Sequence, residues 1–237
     1  MSQNPLLDTT GLPLFDQIKP EHVTPAIDVL LKQAEEALEK VTGPGVPADY
    51  DALSLLLDVA TEKLGRAWGA VGHLNSVADT AELRAAFNEN LPRITDFYTR
   101  LGADERLYAK YKALAQSEQG QTLSAPRKRA LDNALRGFVL GGAELQGAAK
   151  ERFAAIQEEQ AALSQAFSEH VMDATDAFAY YATTDELAGF PQDVQDATAA
   201  AAQAEGKTGH KLTLHMPCYL PVMQYATRRE LREKMYR

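Results

Sequence analysis

The chain has 237 residues, 45% of them apolar and 24% charged, with 15 Gly and 11 Pro, a composition that fits a folded protein and excludes low-complexity disorder along its whole length. A formal charge of −9 offers no basic face to neutralise phosphate, so nucleic acid is excluded as a partner, and an anionic membrane surface is not favoured. The lone cysteine, Cys218, excludes an intrachain disulfide and removes any argument for an extracellular setting. The first residues, MSQNPLLDTTGLPLF, hold neither a basic leader nor a long apolar run, and no stretch has the apolar length of a membrane span. A soluble, cytoplasmic protein is expected.

Met1–Lys19 is aperiodic and contains Pro5, Gly11 and Pro13, which predicts an extended arm held to the body by Leu6, Leu7, Leu12, Leu14, Phe15 and Ile18. Pro20–Val41 follows with Val23, Ala26, Ile27, Leu30, Leu31, Ala34, Leu38 and Val41 at the spacings of one buried helix face. Gly43-Pro44-Gly45 ends it. Asp49–Val77 predicts a second helix with a stripe of Leu53, Leu56, Leu57, Ala60, Leu64, Ala67, Trp68 and Val71. Asp79 and Thr80 are candidate caps for a third, with Glu82 placed for a capping box back to Asp79. Its stripe is Leu83, Phe87, Leu91, Ile94, Tyr98 and Leu101, and Pro92 is expected to kink it.

Asp104–Ser117 predicts a shorter helix on Leu107, Tyr111 and Leu114. Ser124 caps a fifth, carrying Leu131, Leu135, Phe138 and Val139 and closed by Gly141-Gly142; a sixth runs from about Gln146 to Thr175 on Phe153, Ile156, Leu163, Phe167 and Val171. The pattern then changes. Phe178–Thr183 is short and aromatic, and Lys211–Met216 alternates with period two, so both read as strands, with a helix over about Gln192–Ala204 between them. That connection permits either strand sense. Pro217–Pro221 turns the chain into two closing helical segments. The fold class is mainly α, a multi-helix array with a small two-strand β element near the C-terminal end. No internal repeat or linker divides residues 1–237.

Arg228–Arg237 reads as a helix barely begun. Leu231 and Met235 share a face, Glu230 precedes Lys234 by four, and no Gly, Asn or Pro follows. The chain is therefore expected to be the front of a longer protein.

Chemistry is sparse. A zinc protease helix needs His-Glu-x-x-His, because two histidines four apart share a helix face beside the Glu. Of His22, His73, His170, His210 and His215, none precedes a Glu and no two are four apart. His210 and His215, five apart on the second predicted strand, should face opposite ways. Glu-x-x-His pairs of the di-iron type are absent too. There is no Gly-x-Ser-x-Gly elbow. Cys218, three residues from His215, makes a Cys–His pair conceivable without an orienting third group; packing is the simpler role for both. Gly206-Lys207-Thr208 imitates the end of a phosphate loop, but Ala201 stands where the first glycine belongs, and a helix precedes it. It reads as a surface turn. Glu35-Glu36 and Glu158-Glu159 read as solvated helix faces, and Trp68, Tyr180 and Tyr181 as packing residues. No catalytic, cofactor-binding or metal-ligating residue is assigned.

Several strings carry a resemblance. They are Asn4-Pro5-Leu6-Leu7, the run from Phe15 to Ala26, His73-Leu74-Asn75-Ser76-Val77, Glu82-Leu83-Arg84, Leu91-Pro92 and Leu131 to Arg136. Further on come Phe167-Ser168, Asp173-Ala174-Thr175, Pro217-x-Tyr219-Leu220-Pro221-Val222-Met223-x-Tyr225, Leu231-Arg232-Glu233 and Tyr236-Arg237. In order and number, they resemble the N-terminal region of the thimet oligopeptidase family of zinc endopeptidases, from the first residues to the last. The resemblance implies a helical half that roofs a narrow channel, limits substrate length and excludes bulk water on closure. It implies zinc in the full-length parent and none bound by this chain, the C-terminal catalytic part of the same protein as partner, short peptides as substrates, and an isolated chain without activity. It also implies apolar surface left open here and covered by the rest. The alternative is a stand-alone helical adaptor that binds a peptide or a partner helix.

Overall fold

The computed structural model describes residues 4–237, so the first three residues of the predicted arm lie outside the described residues. By its internal contacts the chain divides into two compact units, one ending at Leu163 and one beginning at Ser164. The boundary falls within a continuous helix, with no linker composition around it. The fold is mainly helical with a small two-stranded antiparallel sheet, the class the sequence predicts.

In the first unit the arm is not uniformly extended. Pro5–Leu7 forms a 3₁₀ turn capped by Asn4, whose Oδ1 accepts from Leu6 N at 3.0 Å while its Nδ2 donates to His22 O at 2.8 Å. That second bond ties the arm to α1 (Pro20–Thr42). Leu6 is buried and Ile18 packs on the same core, Arg66 donates to Gly11 O and the Phe15 ring meets that of His73, while Leu12 stays 87% exposed. All eight predicted stripe residues of α1, from Val23 to Val41, are buried.

The second predicted helix departs from regularity. It comprises α2 (Tyr50–Leu53), a π-turn over Ser54–Asp58, and α3 (Val59–Val77). The wide turn leaves Leu55 at 72% and Val59 at 48% exposure. In α4 (Ala81–Gly102) the cap is Thr80, whose Oγ1 accepts from Leu83 N at 3.2 Å. The Asp79–Glu82 capping box does not form, because Asp79 is taken by Arg84 (2.7 Å) and by Asn75 Nδ2 (3.0 Å). The helix runs through Pro92 without a break. Asn90, fully buried, donates to Thr24 Oγ1 and Ala86 O at 2.8 Å each and accepts from Arg93 Nη1, which satisfies the polar group that burial would otherwise penalise.

Asp104 caps α5 (Glu105–Gln116) through Arg106 N and Leu107 N. A short α6 (Glu118–Thr122), unforeseen in the sequence, precedes α7 (Ala125–Leu140). Gln119 of α6 accepts from Tyr50 N and donates to Asp49, locking the start of α2. Gly141 ends α7 against Gly102, where a Cβ would meet the Gly102 carbonyl oxygen at 2.7 Å, and Gly142 follows at φ +89°. Two cores result. Leu6 and the facing stripes of α1, α3 and α4 build one, with Trp68 stacked on Phe87 at 4.4 Å. Leu38, Val41, Leu53, Leu57, Leu107, Leu114, Leu131 and Phe138 build the other. Helix α8 (Ala148–Ala177) begins in this unit, where Lys150 pairs with Glu105 at 2.8 Å.

In the second unit, β1 (Tyr180–Ala182) and β2 (His210–Leu212) pair antiparallel, Tyr180 opposite Leu212 and Ala182 opposite His210. Both strands are shorter than predicted, and α9 (Gln192–Ala204) connects them at the predicted bounds. Helices α10 (Met216–Tyr225) and α11 (Arg229–Tyr236) close the chain. Leu187, Phe190, Leu212, Val222, Leu231 and Met235 form the core. Lys234 sits 3.9 Å from the Tyr180 ring centroid, so that ring, not Glu230, is its partner.

Candidate functional site

The residues singled out for chemistry do not converge. His215 is not on β2, which ends at Leu212; it precedes α10 as an exposed residue, and its Nε2 lies 3.0 Å from Asp176 Oδ1. The expected alternation of His210 and His215 along one strand therefore does not arise. His210 is buried, with Nδ1 at 3.1 Å from Thr198 Oγ1 and 3.2 Å from Gln195 O. The sulfur of Cys218 accepts from Thr213 N at 3.2 Å and packs on the second unit's core. His215 and Cys218 are joined only through the backbone, Cys218 N donating to His215 O at 2.9 Å. His22 caps α1 by accepting from Lys19 N through Nδ1, and the His73 ring stands 5.3 Å from that of Phe15.

Gly206-Lys207-Thr208 is an exposed turn with Gly206 at φ +68°. Tyr180 donates its hydroxyl to Glu186 at 2.7 Å. Glu205 accepts from both Tyr181 and Lys211, and its carboxyl is held below the usual range by Lys211 first and Tyr181 second. Glu35 and Glu36 are exposed and paired with Arg100 and Lys32. Among the described residues no three His, Cys, Asp or Glu side chains converge to hold a metal ion. These residues do not fit the zinc that the resemblance implies for a parent.

A cavity of about 480 Å³ lies in the first unit beside the C-terminal turn of α4. Arg106 spans Glu39 in two bonds of 2.7 and 2.9 Å and reaches Asp104 at 2.8 Å. Arg100 holds Asp96 and Glu35, each at 2.8 Å. Bonding to Glu39 and then Asp104 raises the Arg106 guanidinium, and Arg106 in turn holds Glu39 below the usual carboxylate range. Apart from Glu158, each charge of the lining is paired with another, so the wall is largely an ion-paired surface. Sequence reading missed it, because Glu39 and Arg106 are 67 positions apart and no local spacing announces them.

The remaining feature is α8. None of its 30 residues is buried. Of the predicted core stripe, Phe153 is half-buried beside Gly142, but Ile156, Leu163, Phe167 and Val171 are 43, 64, 70 and 50% exposed. Their spacing sets them along one helix face, so the periodicity was right, but the burial expected of a core stripe is not found among the described residues.

Such a molecule is a mainly helical protein with a small two-stranded sheet. Residues 27–150 match the family described as neurolysin/thimet oligopeptidase, N-terminal domain, and the chain belongs to that family. Over 99% of its length it is 40% identical to oligopeptidase A of Salmonella typhimurium and 39% identical to oligopeptidase A of Escherichia coli. Over its full length it is 39% identical to a probable cytosolic oligopeptidase A of Arabidopsis thaliana. It covers 35% of each of these relatives, so it spans about a third of their length. No described helix is long and apolar enough to cross a membrane.

Proposed function

We propose that this chain is the N-terminal, non-catalytic part of a cytoplasmic zinc metallo-endopeptidase that hydrolyses short peptides. Its task is steric. It forms part of a substrate channel, limits the size of what enters and excludes water when the channel closes. Residues 1–237 serve together as most of that channel-roof half. The partner is the C-terminal part of the same protein, which supplies the zinc ligands and the reaction centre. The carrying observation is the identity of about 40% sustained over nearly the whole chain to oligopeptidases A three times as long. The open apolar face of α8 supports it, because a stripe of four large side chains left in water calls for a cover.

The same stripe would serve a free-standing adaptor that binds a partner helix; the two readings separate by the reading frame beyond residue 237, where a His-Glu-x-x-His motif favours the peptidase. The chain is incubated with zinc and a quenched short peptide. No hydrolysis above buffer is expected; hydrolysis abolished by a chelator would place a reaction centre in this chain and overturn the proposal.

A further inference from the structure

We propose that a groove in the first unit, beside the π-turn, binds an organic ammonium ion carrying an apolar stem. The groove holds about 350 Å³ and is lined by Asp58 and Thr61, by Tyr98 of α4, by Tyr111 of α5, and by Gly137 and Phe138 of α7. Volume and lining match a small-ligand site, an apolar body with a few convergent polar groups, and π-turns in helices recur at functional positions.

The lining carries a single charged side chain, Asp58. Asp58 ends the π-turn and Glu62 follows one turn later; both are exposed, and neither is ion-paired with a described residue. Two cations of the flanking helices are committed elsewhere. Arg127 pairs with Asp51 at 3.0 Å and lies over the Tyr50 ring, and Lys112 lies over the Tyr108 ring. Burial first, and the Asp58 charge second, push the Tyr111 phenol up to about 12; burial and then Glu62 raise Tyr98. Each carboxylate therefore acts on a neighbouring ring, and both phenols stay neutral. The Tyr111 hydroxyl has no hydrogen-bond partner among the described residues. Unpaired carboxylates, aromatic faces and an accepting phenol oxygen select a cation with N–H groups. They repel anions, and two carboxylates without a third ligand are a poor metal site. The inference stands apart from the peptidase reading.

The test is an NMR titration of the chain with 2-phenylethylamine and, separately, with its neutral counterpart 2-phenylethanol. Backbone shifts should map to Asp58, Tyr98, Tyr111 and Gly137, with the amine bound roughly 5-fold tighter, the size expected of partly exposed cation–π and ion-pair contacts. The double variant Asp58→Asn, Glu62→Gln should abolish that preference and leave the alcohol's binding unchanged. A Cβ at Gly137 meets nothing within 4 Å, so Gly137→Leu should fill the groove and remove both ligands, while the helix keeps or gains stability. Equal affinity for amine and alcohol in the parent chain, shifts that map elsewhere, or undiminished binding in Gly137→Leu would each overturn the assignment.

Discussion

Phe167→Ser separates a side chain that packs inside this molecule from one that waits for a partner. Phe167 is 70% exposed. A phenylalanine has about 200 Å² to bury, so roughly 140 Å² of this one remains in water at 70% exposure. At about 25 cal/mol per Å², covering that area is worth about 3.5 kcal/mol. None of the described residues covers it, and in the isolated chain the substitution should change unfolding free energy by less than about 0.5 kcal/mol. Phe97, 1% exposed in the first core, provides the contrast, and Phe97→Ala should cost about 3–5 kcal/mol. In a full-length parent the order changes. Phe167→Ser should weaken association of this part with the remainder by about 2 kcal/mol, roughly 30-fold in Kd. Urea titration followed by circular dichroism reads the first quantity, and calorimetry between separately purified halves reads the second. If Phe167→Ser destabilises the isolated chain as much as Phe97→Ala does, the ring is buried within this chain and the reasoning from α8 fails.

Other outcomes follow from the packing. Asp104→Ala removes the cap on Arg106 N and Leu107 N and should cost about 1–2 kcal/mol in urea unfolding. Burial pushes the Asp104 carboxyl up, but Arg106 and the backbone N–H groups outweigh it, and the net shift is downward from 3.8. A lowered carboxyl stabilises the fold above its unfolded value and loses that contribution as pH falls through the folded one. The chain should therefore lose stability as pH drops below about 4, and Asp104→Asn should flatten that part of the profile; an unchanged slope in acid unfolding curves would contradict the assignment. In the second unit, Gly209 has φ +85° and its Cβ would press on the Ala182 carbonyl oxygen. Gly209→Ala should lower the melting temperature of that unit's transition in calorimetry, whereas Gly45→Ala, in open space, should leave melting unchanged.

Local, periodic features were readable from sequence. All eight residues of the α1 stripe are buried, and α9 lies at its predicted bounds, because spacing on one helix decides both. Features that hinge on competition were not. Thr80 prevails as cap because Asp79 is claimed by Arg84 and Asn75, a contest that spacing does not resolve. The π-turn over Ser54–Asp58 holds no Gly or Pro to mark it. The α8 stripe exposes the main limit. Period 3.6 reports that a face is apolar and is silent on what covers it. The ion-paired wall of Glu39, Arg100 and Arg106 joins residues more than 60 positions apart and leaves no local signature.

Reconstitution tests the central claim most directly. The chain is mixed with the separately produced remainder of its own full-length protein, and cleavage of a quenched short peptide is compared with cleavage of a folded protein. Each part alone should be inactive or unselective, and the mixture should cut the short peptide in a chelator-sensitive manner while sparing the folded substrate. A remainder that is fully active and equally size-selective without this chain would contradict the account.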